Sequence, residues 1–95
     1  MNPMNIVNVD LNLLKTFEAL HDESSASRAA LRLGVTQSAI SAALRRLRDV
    51  YGDQLFVRTG RGLAPTLRAN QLKAVISEAL DRCRQSQAMA DPQGS

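Results

Sequence analysis

Apolar residues recur at steps of three and four in four separate stretches, each bounded by residues that start or stop helices. In the first, Leu11, Leu14, Phe17 and Leu20 share a face behind Asp10, a good N-cap. This predicts a helix to about Asp22, with a turn over Asp22 to Ser25. The second, SRAALRL, is capped by Ser25 or Ser27 and ended by Gly34. The third runs from Thr36, whose hydroxyl can accept a free backbone N–H of the first turn, to Gly52, which suits the left-handed end of a helix. Its apolar face is Ile40, Ala43, Leu44, Leu47 and Tyr51; the opposite face carries Ser38, Ser41, Ala42, Arg45 and Asp49. The fourth is capped by Thr66 and runs to about Met89. Between the third and fourth the period changes: Leu55, Phe56, Val57 and Arg58 favour a strand. Thr59-Gly60-Arg61-Gly62 then reads as a turn, and Leu63 and Ala64 return before Pro65.

The spacing from Ala29 to Ala43 specifies how the second and third helices meet. A close crossing needs small residues, here Ala29 and Ala30. A tight turn needs a residue able to take positive φ, here Gly34. Apolar Val35, Ile40 and Ala43 after the turn are expected to pin the third helix across the second. The predicted fold is mainly α: a winged helix-turn-helix of three helices plus a small β-hairpin wing over residues 9–65, followed by a long dimerisation helix over 66–90. Met1 to Val9, which contains Pro3, is expected to be a frayed start, and 91–95 a disordered tail or chain boundary.

Charge sharpens the picture. Residues 1–35 carry three basic and four acidic side chains, net −1; residues 36–65 carry five arginines against two aspartates, net +3; residues 66–95 carry four basic against three acidic, net +1. The positive charge therefore gathers on the third helix and the hairpin, where binding to nucleic acid needs it. Gln37 and Ser38 stand in the first turn of that helix, beside exposed N–H groups and the positive end of its dipole. Short polar donors there, with Arg45 below them, suit a helix laid against a phosphate backbone and entering the major groove. Arg61 at the hairpin tip suits an adjacent minor groove, and Arg58 suits a phosphate.

Other chemistry finds little support. One histidine (His21) and one cysteine (Cys83) stand far apart, with no carboxylate pair suited to a pocket, so an enzyme, a metal site or a cofactor is not expected. His21 reads as an ordinary surface or packing residue. A lone cysteine excludes an intrachain disulfide, and no run of about 18 apolar residues could span a membrane. No early apolar run resembles a signal peptide, and a cytoplasmic protein is expected. With 95 residues the chain makes one domain, and with few aromatics (Phe17, Tyr51, Phe56) its core must be aliphatic.

The fourth helix is long. Some 23 residues would span roughly 35 Å at 1.5 Å per residue. Leu67, Leu72, Val75, Ile76, Ala79, Leu80 and Cys83 form a stripe that a small domain is not expected to cover, and a second copy is the natural partner. Leu72, Val75, Ile76, Ala79, Leu80 and Cys83 are the candidate dimerisation residues. Cys83 reads as a packed small side chain.

In this order the runs DLNLLKTF, SRAALRLGVTQSAISAALRRLR and LFVRTGRGLAPT resemble the LysR-type transcriptional regulators. FVRTGRGLAPTLRA looks closest to the branch holding the nodulation regulators and drug-efflux activators. The resemblance implies sequence-specific binding to double-stranded promoter DNA at an interrupted palindrome. It also implies a homodimer joined by the linker helix, assembled into tetramers in the full-length protein, and a small-molecule effector bound by a C-terminal domain that this chain lacks. Family members commonly read bases through the positions of Gln37, Ser38 and Ser41. Many carry proline at the place of Ser38 and arginine where Ala42 stands; the exposed methyl of Ala42 suits a thymine methyl instead. Arg48 replaces a more usual glutamate, and Asn70 a common glycine. The candidate DNA-binding set is Ser27, Thr36, Gln37, Ser38, Ser41, Ala42, Arg45, Arg58 and Arg61. A winged helix serving as a protein-interaction or RNA-binding module is the competing reading. The positive cluster and the polar first turn oppose the first version; the lack of an aromatic platform opposes the second.

Overall fold

Asp10 opens the first helix, its carboxylate accepting the N–H of Asn12 at 2.9 Å. The computed structural model describes residues 10–90; the expectations for Met1–Val9 and for 91–95 lie outside them. The elements are α1 (Leu11–Glu23), α2 (Ala26–Leu33), α3 (Gln37–Tyr51), β1 (Phe56–Thr59), β2 (Gly62–Pro65) and α4 (Leu67–Ala90). The architecture is a mostly helical winged helix-turn-helix followed by a long helix, as the hydrophobic pattern predicts. α1 lies at the centre and packs on α2, α3 and α4, while α2 packs on α3.

The helix ends follow local chemistry. α1 runs one residue further than expected and closes on Ser24 in the left-handed region (φ 56°). Ser25, not Ser27, caps α2 by accepting the N–H of Arg28 at 3.2 Å. Gly34 (φ 69°) ends α2, and the next N–H, of Val35, returns to the Ala30 carbonyl at 3.0 Å, which satisfies an orphan acceptor of the last turn. Thr36 caps α3 through the N–H of Ala39 at 3.1 Å. Thr66 caps α4 through the N–H of Ala69 at 3.1 Å.

Phe17, Leu20, Ile40, Leu47, Leu55, Phe56 and Leu80 are the largest fully buried side chains. Phe17 and Phe56 meet with ring centroids 5.4 Å apart. Two expectations for facing residues are corrected. On α1, Leu13 joins Phe17 and Leu20 in the core, whereas Leu14 is half-buried and Leu11 is exposed at the unpacked end. Val35 is 46% exposed, so Ile40 and Leu44, rather than Val35, anchor α3. Ala29 and Ala30 are both buried, consistent with a close crossing.

The stripe on α4 is also corrected. Ile76 (3% exposed) and Leu80 (2%) are covered by the domain's own core, and Leu72 packs at its margin. α4 folds back along α1 instead of projecting free of it. Polar contacts flank this seam. Glu18 accepts hydrogen bonds from Ser77 at 3.0 Å and Arg84 at 3.3 Å, and Asp22 pairs with Lys73 at 3.2 Å and Arg32 at 3.0 Å. Burial pushes the Asp22 carboxyl up, but the hydrogen bonds and charges of Arg32 and Lys73 outweigh it and hold the group below its ordinary value. Val75, Ala79 and Cys83 remain exposed on the neighbouring flank of α4. Among the described residues, no helix is long and apolar enough to cross a membrane.

Candidate nucleic-acid interface

Gln37, Ser38, Ser41 and Arg45 line one open concavity on α3. Ser41 and Arg45 continue into a second, walled by Arg48, Arg58, Ala26 and Leu63, so the two run together from the start of α3 to the hairpin. Helical geometry explains the alignment. Ser38, Ser41, Ala42 and Arg45 stand at i, i+3, i+4 and i+7, one face of a helix whose other face is nailed down by Ile40, Leu44 and Leu47.

The remaining candidates fall around this track. Ala42 is exposed on the same face of α3. The Thr36 hydroxyl is engaged as the cap acceptor. Ser27 is exposed in the first turn of α2, and its hydroxyl lies 3.0 Å from that of Ser25. Arg61 is exposed at the two-residue tip of the hairpin, where its own N–H donates to the Thr59 hydroxyl at 3.2 Å. Among the described residues, Arg45, Arg58 and Arg61 form no ion pair, so their charges are unspent. Arg28, Arg32, Lys73 and Arg84 instead take up the acidic residues of α1.

Several side chains that build the site escaped the sequence reading. The wing is docked at both ends of its base. At one end the N–H of Leu63 donates to the Ser24 carbonyl at 3.0 Å. At the other, Asp53 accepts the N–H of Leu55 and the hydroxyl of Thr66, each at 2.8 Å. The Leu55 N–H foremost, then the Thr66 hydroxyl, hold the Asp53 carboxyl below its ordinary value. His21 is a packing residue, as expected, but a specific one: it bonds Asn70 at 2.9 Å and sits beside Phe17 and Phe56. Only Asp53-to-Thr66 had a local signal, since Asp and Thr are turn and cap residues.

A helix-turn-helix with a docked hairpin and one cationic, concave face defines a winged-helix DNA-binding domain. Residues 11–70 match the family described as bacterial regulatory helix-turn-helix protein, lysR family. The chain is 50% identical over 72 residues to the HTH-type transcriptional regulator LeuO of Escherichia coli, covering 76% of this chain and 23% of that protein. It is 47% identical over 77 residues to nodulation protein D 1 of a Bradyrhizobium species, covering 81% and 24%. Among solved structures, the probable transcriptional regulator PA0477 of Pseudomonas aeruginosa aligns with a TM-score of 0.81 and 39% identity over 86% of this chain and 28% of that one. The BenM DNA-binding domain in complex with catB site 1 DNA aligns with a TM-score of 0.83 and 26% identity over 90% and 97%. The chain belongs to the LysR family of transcriptional regulators and is a sequence-specific DNA-binding domain, not an enzyme. It spans about a quarter of the length of the curated relatives it matches.

Proposed function

We propose that α3 enters the major groove of a promoter half-site and that the hairpin tip enters the flanking minor groove. The observation that carries this reading is the continuous exposed track of Gln37, Ser38, Ser41 and Arg45 leading to Arg58. The likeness to a domain solved on duplex DNA supports it. Gln37 pairs with an adenine edge, its amide serving as donor and acceptor at once. Ser38 and Ser41 complete the polar readout, and the Ala42 methyl packs against a thymine methyl. Arg45 and Arg58 neutralise phosphates, with Ser27 and Thr36 at the margin, and Arg61 reads groove width.

Residues 9–65 form the reading unit and 66–90 the linker of a cytoplasmic homodimer that recognises an interrupted palindrome. With Ile76 and Leu80 turned inward, the seam falls to Val75, Ala79 and Cys83, bordered by Leu72. In the full-length regulator such dimers pair into tetramers, and a separate domain binds a small-molecule effector.

Selection of bound duplexes from a random pool returns half-site, spacing and symmetry together; a site without two-fold symmetry would count against the dimer. Gln37→Ala is expected to relax the selected base at one position, by roughly 1–3 kcal/mol of discrimination. A mutant that selects the same sequences as wild type would make Gln37 structural. Arg61→Ala is expected to weaken binding most at sites flanked by a narrow minor groove. Arg45→Ala and Arg58→Ala weaken all sequences alike and flatten the salt dependence by about one unit each.

A further inference from the structure

The segment between α3 and the wing turns on a strained residue. Leu55 has φ 67°, a conformation that L side chains other than Asn and Asp rarely adopt. The N–H of Phe56 closes back on the Gln54 carbonyl at 2.7 Å, which makes Leu55 the centre of a γ-turn of the uncommon positive-φ kind. Strain of this sort persists only where the surroundings over-determine it. Here the Leu55 side chain is fully buried, its N–H is held by Asp53, and its carbonyl accepts the N–H of Thr66 at 2.9 Å.

Arg48 supplies the remaining hold. From the last turn of α3 its Nε donates to the Gln54 carbonyl at 2.8 Å, and a terminal nitrogen donates to the Phe56 carbonyl at 2.9 Å. The fork therefore straddles the strained residue, gripping the carbonyls on either side of it. The second acceptor needs this donor. Backbone groups in an antiparallel pair alternate between facing the partner strand and facing away. Leu63, opposite Arg58, faces away, since its N–H reaches Ser24. Phe56, two residues before Arg58, has the same orientation, so its carbonyl finds no donor on β2.

We propose that Arg48 is a positioning residue that fixes the wing relative to the recognition helix by clamping the turn at Leu55. It belongs to α3 and grips the start of β1, so it couples the two surfaces that meet DNA. This inference rests on the reading that the wing touches DNA. Its role differs from that of a phosphate-binding cation, because both measured bonds spend the guanidinium on backbone carbonyls. Lysine keeps the charge but lacks the planar fork.

Two measurements test it. In the free protein, amide hydrogen exchange over residues 56–65 is expected to rise about tenfold in Arg48→Met and in Arg48→Lys, with the amides of α1 to α3 near wild type, because only the local opening of the wing becomes easier. Arg48→Gln, with one amide donor, should fall between. Unchanged exchange in the hairpin, or full rescue by lysine, overturns the proposal. On the duplex recovered by selection, the penalty of Arg61→Ala is expected to shrink toward onefold in the Arg48→Met background, while that of Gln37→Ala stays the same in both. An undiminished Arg61 penalty also overturns it. If Arg61→Ala costs nothing in the wild-type background, the wing's contact with DNA is refuted separately, and hairpin exchange alone then decides whether Arg48 positions the turn.

Discussion

Ile76→Glu is expected to unfold the domain. Ile76 is 3% exposed, on the face of α4 that packs along α1. A carboxylate there loses its water and gains no partner, which costs about 3–5 kcal/mol for an uncompensated buried charge. The lost apolar contacts add to that. A domain of this size has a total of about 5–15 kcal/mol to lose. Leu80→Lys should behave in the same way, since Leu80 is 2% exposed. Val75→Glu, one residue before Ile76, is the control: Val75 is 63% exposed, and surface changes usually stay within about 0.5 kcal/mol. Circular-dichroism melting and sedimentation separate the effects. Ile76→Glu loses the cooperative melt, while Val75→Glu keeps it and shifts the protein towards monomer. A wild-type melt for Ile76→Glu would mean that α4 is not docked on α1.

Gly62→Ala is expected to be the most damaging change in the wing. Gly62 has φ 128°, where a side chain is strained whatever the space, and an added Cβ would lie 2.5 Å from the Ser24 carbonyl oxygen. That oxygen is the acceptor for Leu63, so the hairpin cannot shift without giving up the bond that docks it. Strain of about 1–3 kcal/mol and a lost hydrogen bond of about 1 kcal/mol act together. At roughly 4–8 °C per kcal/mol for a domain this small, the melting temperature should fall by on the order of 10–20 °C. Gly60→Ala two residues earlier meets nothing within 4 Å and should melt close to wild type. Equal melting of the two variants would show that the wing base is not seated on Ser24.

Local chemistry was legible from sequence where one residue type answers one local need. Asp10, Thr36 and Thr66 are caps, Gly34 and Gly52 end helices, and Gly60-Arg61 is the hairpin tip, all as their identities imply. The exposed stripe of α3 followed from its period. What period cannot supply is the identity of the partner. The stripe of α4 announced a buried face, but nothing in Ile76 or Leu80 says whether α1 or a second chain buries it. Long-range polar pairs were equally silent: His21 and Asn70 are 49 positions apart. The grip of Arg48 was hidden for a different reason. It depends on carbonyls turned outward by a γ-turn at a leucine, and leucine carries no turn signature.

The pairing of charges on α1 has a consequence for how the domain arrives at DNA. Glu18, Asp22 and Glu23 are neutralised by Arg28, Arg32, Lys73 and Arg84, while Arg45, Arg58 and Arg61 keep their charge unopposed among the described residues. The molecule is thus electrically lopsided, and the field of a duplex exerts a torque on it as well as a pull. Such steering raises association rates by about 10–1,000-fold and fades as ionic strength rises. At physiological salt the field reaches only about 8 Å, so the turning takes place in the last layers of water before contact. A domain that drifts in with α3 and the wing foremost is captured, whereas one that drifts in back-first finds little to hold it and diffuses away.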